Sequence, residues 1–310
     1  MIEHCLYGVK VYSDFPLFER AAPVSAVAPG EHASLQLKQR PTTTEHANLA
    51  EKTPLYSTHG RDVWLCTERE LALSVPGQPW CLEVTDVVSF TWTGGDSTIY
   101  YHLYEQGTQE LLVFWFVHIF LPLHLTLERG YDFIHCSAVE IDDAPVLFIA
   151  PSTGGKSTLG DYFLKQGHPM LSDDKAATFW HDGEFYAVPS HAHHRPFRQF
   201  EVLGYPVDNF ATSAKPIHAF YILEQGEPDA VVEINEVTGF RKFEELLPNY
   251  LYSFSFLQKQ RLHWLAQLAD QSLVFRVRRP WNLQRMQEVY EAISAHSRSV
   301  PGRNNPTRQN

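Results

Sequence analysis

Val146-Leu-Phe-Ile-Ala-Pro-Ser-Thr-Gly-Gly-Lys-Ser-Thr-Leu159 is the stretch on which the reading of this sequence turns. Four apolar residues of strand length run into Ala150-Pro-Ser-Thr-Gly-Gly155, and Lys156-Ser-Thr158 opens a segment where Leu159, Phe163 and Leu164 recur at helical spacing. Strand, small-residue turn, Lys-Ser and helix is the layout of a phosphate-binding loop. Small residues let consecutive backbone N–H groups converge on phosphate oxygens, and the helix N-terminus adds its partial positive charge. Ser152, Thr153, Gly154, Gly155, Lys156, Ser157 and Thr158 are therefore the candidate nucleotide-binding residues. Lys156 would neutralise the outer phosphates, and the Ser157 hydroxyl would ligate Mg²⁺. The strict pattern begins with glycine, where Ala150 stands here.

Downstream, Gly167 is placed to stop the helix, and Met170-Leu-Ser172 reads as a short strand delivering Asp173-Asp174, 17 positions after Lys156. In a βαβ unit that strand pairs beside the loop strand and brings both carboxylates to the phosphates. One would hold Mg²⁺, for which Asp174 is the candidate, and the other would accept a proton from an attacking hydroxyl. Taken alone, two acids before a lysine are a solvated turn; the spacing from the loop favours the site.

Upstream, Phe133 to Ile141 reads as one strand carrying His135, and Asp142 to Pro145 as the turn into the loop strand. A histidine on an apolar strand is more often a hydrogen-bonded core residue than a catalyst. Ser190-His-Ala-His-His-Arg-Pro-Phe-Arg198 clusters three histidines with no cysteine or carboxylate at a ligand spacing. Contact of Arg195 or Arg198 with an anionic substrate is preferred there to a metal. Arg276, Arg278 and Arg279 alternate on a strand and could reach an anionic site.

The remaining chain is organised around this centre. Residues 1–105 form a mostly β region, with strands at Asp62–Cys66, Leu71–Val75, Cys81–Val84 and Val87–Trp92. Leu111 to Leu127 is apolar enough to suggest a membrane span, but its length, two histidines and Pro122 favour a buried helix. After the Asp pair come a hairpin around His181-Asp-Gly183, a strand at His218–Leu223, helical patterns at Arg241–Leu247 and Leu251–Leu268, a strand at Leu273–Val277, a last helix at Leu283–His296, and a polar tail, residues 297–310, read as disordered. The kinase-like unit would span residues 106–296. The net charge of −11, from 36 acidic and 25 basic residues, argues against nucleic-acid binding. Four scattered cysteines read as free thiols in a reducing, cytoplasmic setting. No partner membrane is expected, and homo-oligomerisation stays open.

Together these residues resemble the catalytic domain of HPr kinase/phosphorylase, and more closely the HPr-kinase-like serine kinases, some of which accompany lasso-peptide-type clusters. The likeness runs through His135-Cys-Ser-Ala-Val139, the loop, Gly167-His-Pro-Met-Leu-Ser-Asp-Asp174 and Phe275-Arg-Val-Arg-Arg-Pro-Trp-Asn-Leu283. It implies an α/β P-loop kinase domain of the HPr kinase/phosphoenolpyruvate carboxykinase type. It also implies ATP or another nucleoside triphosphate with Mg²⁺ as cofactors, and transfer of a phosphoryl group to a serine hydroxyl of a peptide, protein or small molecule. By motif position it makes Lys156, Asp173, Asp174 and His135 catalytic. Thr153 and Ala150 stand where that family's loop has glycines. Those two substitutions keep a second reading open, a non-catalytic nucleotide-binding regulator or partner-binding module. An NTP-hydrolysing switch is a third.

Overall fold

The computed structural model describes residues 1–19, 34–40, 49, 51–58, 60–69, 74–195, 200–252 and 254–301. Eight strands come first: β1 (Ile2–Leu6), β2 (Val9–Ser13), β3 (Leu35–Gln39), β4 (Glu51–Thr58), β5 (Arg61–Thr67), β6 (Trp80–Val84), β7 (Val88–Trp92) and β8 (Thr98–Leu103). They form one sheet in the order β1-β2-β3-β8-β7-β6-β5-β4. The β region expected from the N-terminal sequence is therefore a single large sheet. The strand read at Leu71–Val75 falls mostly outside the described residues, and Ser74 and Val75 lie in a turn. Tyr7 and Gly8, at φ 51° and 72°, close the two-residue β1–β2 hairpin.

The apolar segment is helical from Gln109 to Arg129, with Thr108 capping its start and Gly130, at φ 68°, ending it. It comprises α1 (Gln109–Trp115), a π-turn at Phe116–Phe120 and α2 (Leu121–Arg129). Pro122 explains the irregularity, because it has no N–H to give the carbonyls behind it. Two of those carbonyls find partners elsewhere: His118 O accepts from Lys175 Nζ at 2.5 Å, and Val117 O from Tyr7 Oη at 3.3 Å. The 21-residue helix is long and apolar enough to cross a membrane, and 83% of its most apolar window is buried within the protein. It shares a core with the eight-stranded sheet through Trp80, Phe90, Phe116 and Phe120, and this core continues into Phe133 and Phe179.

Beyond the helix the chain runs β9 (Asp132–His135), β10 (Ser137–Ile141), β11 (Ala144–Ile149), α3 (Lys156–Lys165), β12 (Met170–Ser172), β13 (Lys175–His181), β14 (Glu184–Val188), β15 (His193–His194), β16 (Tyr205–Pro206), β17 (Lys215–Pro216), β18 (Ala219–Gly226), β19 (Glu233–Glu236), α4 (Phe240–Leu246), α5 (Gln258–Gln271), β20 (Val274–Pro280) and α6 (Met286–Ser299). A six-stranded sheet has the order β12-β10-β11-β18-β20-β19, and β17-β14-β13-β9 form a second, four-stranded one. The protein is thus a mixed α/β structure with several sheets. Alternate residues of β11 and β18 face opposite sides. Val146, Phe148, Tyr221 and Leu223 meet α3 and α6, whereas Leu147, Ile149, Phe220 and Ile222 meet α5.

Several expectations are corrected. The strand read as Phe133–Ile141 is two strands, divided at Cys136, which pass into different sheets. The strand carrying the Asp pair does not lie beside the loop strand: antiparallel β10 stands between them, so β11 and β12 are parallel but one place apart. The helix read from Leu251 begins only at Gln258; Leu251 N–H instead bonds Phe133 O at 3.0 Å, and Tyr252 takes φ 59°. The last helix continues to Ser299, so residues 297–299 of the supposed tail are helical, and residues 302–310 lie outside the described residues.

Candidate active site

The carboxyl ends of β11, β12, β18 and β20 open at one edge of the six-stranded sheet, together with the start of antiparallel β10. Open α/β sheets place ligands at such an edge. The phosphate-loop candidates occupy it, following β11. Gly155, at φ 81°, is the residue from which α3 starts, and the loop before it holds Thr153 at φ 65°. That conformation suits glycine and costs a β-branched residue. Ser152, Thr153 and Thr158 are exposed, and Gly154, Gly155 and Ser157 half-buried.

Lys156 is buried and tied to its own loop, with Nζ donating to Ala150 O at 2.7 Å and Pro151 O at 3.3 Å. The Gly154 N–H also bonds Pro151 O, at 3.0 Å. From outside, the buried Arg279 donates from Nη2 to Gly154 O at 2.8 Å. Behind the loop, Gly160 lets α3 lie against β10, since a Cβ there would stand 2.3 Å from Ser137 Oγ.

Asp173 and Asp174 leave the end of β12 with unlike surroundings. Asp173 is 8% exposed and its Oδ2 accepts the Arg195 N–H at 2.7 Å. His194 Nδ1 stands 3.1 Å from Asp173 Oδ1, a close polar contact without the direction of a good hydrogen bond. Burial pushes the Asp173 carboxyl up, but the His194 and Arg195 contacts prevail and hold it below its ordinary value. The other nitrogen of His194 faces Asp161 of α3 at 3.5 Å. Asp174 is more open. Its Oδ1 lies 3.4 Å from His135 Nε2 and its Oδ2 3.9 Å from Arg195 Nη2.

Between the loop and the acids lies the Cys136 thiol, pushed up to about 12 by burial. The Ala176 N–H and the Lys156 charge pull it back and Asp174 pushes it further, so lysine and aspartate both lie within electrostatic reach of one sulfur. A cavity of about 10 Å³, room for one water, is lined by Tyr7, His118, Ser172, Asp173, His191 and Arg195, among others. His118 Nε2 and His191 Nδ1 are buried there without hydrogen-bond partners among the described residues. Burial first, then the proximity of His191 and the Arg195 and Lys175 charges, drives His118 well below its ordinary value, and burial takes His191 to about 3.

Lys156, Asp173, Asp174, His135 and Arg195 are thus gathered at one edge. Arg198 lies outside the described residues. The three arginines of β20 are split by strand parity. Arg279 reaches the loop, while Arg276 and Arg278 line a separate cleft of about 300 Å³ with Glu224, Glu233 and Arg241. Tyr7 and His118 were not singled out by sequence reasoning, because no motif surrounds them and both come from the N-terminal half. The parity of Arg279 was available in the strand pattern.

A mixed α/β protein with a loop-and-acid site at a sheet edge is what fold and geometry define. No protein-family model matches the sequence, and no curated protein matches it. Among solved structures, the Hpr(Ser) kinase/phosphatase from Coxiella burnetii is similar over 53% of this chain and 97% of that chain, at 13% identity and a TM-score of 0.31. A likeness at that level does not extend to activity, substrate or site residues.

Proposed function

We propose that this protein is a Mg²⁺-dependent kinase that passes the terminal phosphoryl group of a nucleoside triphosphate to a serine hydroxyl of a peptide, protein or small molecule. The observation that supports it most is the common sheet edge: the Lys156 loop follows β11, the Asp pair follows parallel β12, and His135 precedes β10 between them. The loop amides and the start of α3 would hold the phosphates, and Lys156 would exchange its loop carbonyls for phosphate oxygens. The proton acceptor expected at Asp173 would instead be Asp174, the more open carboxylate of the pair, which would orient and deprotonate the acceptor hydroxyl with His135 fixing its carboxylate. Asp173, bound to Arg195 N–H and beside His194, would hold the Asp pair in place.

The Ser157 hydroxyl and an Asp174 carboxylate oxygen are both hard oxygen donors, a set that suits Mg²⁺. When bound there, the ion would supply positive charge to the phosphates. Residues 1–105 would belong to acceptor recognition, since Tyr7 lines the cavity beside the acids.

Incubation with γ-labelled ATP, Mg²⁺ and a cell extract, then identification of the labelled species, tests this reading. Label on a serine supports it; no label in any species, with wild type indistinguishable from Asp174→Asn, refutes it. One observation favours the second reading, a nucleotide-binding module without transfer. Gly154 N–H and Lys156 Nζ are already satisfied inside the loop, and Thr153 sits at positive φ where glycine would be relaxed. Nucleotide binding without transfer would establish it.

A further inference from the structure

The exit of β20 carries an aromatic residue that the reading above leaves unused. β20 ends at Pro280, and Asn282 caps the next turn by accepting from Gln284 N–H at 3.0 Å. Trp281 is therefore held between a strand end and a helical cap. It is 44% exposed, and its neighbour Leu283 is 73% exposed. This strand opens on the same edge as the phosphate loop, with only β18 between β20 and β11.

The contact with the loop is close. A Cβ on Gly155 would stand 2.5 Å from Arg279 Nη2 and 3.6 Å from Trp281 Cζ3. The Arg279 guanidinium lies 5.0 Å from the Trp281 ring centroid. Arg279 is 4% exposed, and its Nε has no hydrogen-bond partner among the described residues. So a buried cation backs the indole from one side and anchors it to the loop through Gly154 O. The exposed remainder of the indole offers a flat apolar surface beside the loop that would hold the phosphates. A nucleotide anchored there by its phosphates carries a flat, weakly polar ring beyond its ribose, on the same side of the molecule as this indole.

Resting on the phosphate-loop reading above, we propose that Trp281 is the stacking platform for the nucleobase, held in place by Arg279. Indole–base stacking recognises a ring face rather than its hydrogen-bonding edge, so the platform adds affinity without strong choice between adenine and guanine.

Calorimetric titration of the full chain with Mg²⁺-ATP and with Mg²⁺-tripolyphosphate tests this, because tripolyphosphate carries the phosphates without a base. Wild type should bind ATP about tenfold or more tightly than tripolyphosphate, the scale of one aromatic–base stack. Trp281→Ala should erase that advantage, read as the ratio of the two affinities within the one protein, and Trp281→Phe should keep most of it. An ATP-to-tripolyphosphate ratio unchanged in Trp281→Ala overturns the platform while leaving the phosphate loop intact. Wild type binding neither ligand overturns the phosphate-loop reading, and the platform falls with it.

Discussion

His135 and Asp174 face each other at the junction of β9 and β13, with Nε2 of the histidine 3.4 Å from Oδ1 of the aspartate. The preceding residue, Asp173, turns the other way, into His194 and the Arg195 N–H. Two adjacent carboxylates thus have separate tasks, and their amides should fail differently. Asp174→Asn should keep its melting temperature while losing phosphoryl transfer by about 10²-fold or more, the scale of a lost general base. Asp173→Asn leaves a buried N–H and a buried histidine with a poorer acceptor, and should cost about 1–3 kcal/mol of stability. Thermal melts beside a labelled-phosphate assay separate the two; equal loss of stability in both variants would contradict this division.

Lys156 gives a second prediction. Its ammonium is buried among loop carbonyls, so binding requires it to change partners. Lys156→Met keeps the aliphatic stem and removes the charge. Affinity for Mg²⁺-ATP should fall about tenfold to a hundredfold, the worth of one hydrogen bond to a charged group. Titration calorimetry reads this directly, and undiminished affinity would remove Lys156 from the site.

The loop backbone supplies a third. Thr153 adopts φ 65°, a conformation in which glycine is unstrained. Thr153→Gly should therefore relax the folded loop, offset by the greater freedom glycine gives the unfolded chain, and should leave stability within about 1 kcal/mol of wild type. Gly155→Ala meets both obstacles at once, φ 81° and Arg279 Nη2 2.5 Å from the new Cβ. It should destabilise and weaken nucleotide binding together. The pair is checked by denaturant unfolding and ATP titration, and a neutral Gly155→Ala would show the loop to be looser than its contacts suggest.

How far the sequence carried depended on the range of the interaction. The loop, α3 and the β12 strand were legible because their signals are local: an apolar run, small residues at a turn, helical spacing and a stop at Gly167, which does take φ 90°. The placing of β10 between β11 and β12 was not, since strand order is set by long-range pairing that leaves no mark on either segment. The break at Cys136 was hidden because His135 and Ser137 are both strand residues, only in different sheets. Pro122 was visible but its consequence was not: the carbonyls it releases accept from Lys175 and are joined by Tyr7, more than a hundred residues before the helix. Arg279 could be parted from Arg276 and Arg278 by strand parity alone, yet its meeting with Gly154 required the fold.

The buried histidines beside the acids make stability depend on pH. His191 packs against Tyr7, Phe18 and His118, and burial, then the His193 charge, pushes it from 6.5 down to about 3. Asp173 and Asp174 act in the opposite sense, and Arg195 adds to the depression. Below pH 6.5 the unfolded chain takes up a proton that the folded protein refuses, so stability falls as pH drops towards 3. At pH 5 this amounts to roughly 2 kcal/mol from His191, with His193, pushed down to about 4, acting in the same direction. Asp132 works against them. Burial raises it from 3.8 to about 6, so between those values the folded state keeps a proton that the unfolded state has lost, and acidification favours folding there. Urea unfolding at pH 7 and pH 5 should therefore show a net loss in wild type and a smaller loss in His191→Phe, the two losses differing by roughly 2 kcal/mol. Parallel pH dependence in both proteins would mean that His191 takes up its proton in the folded state and that the pocket beside Asp173 is wetter than its 10 Å³ cavity implies.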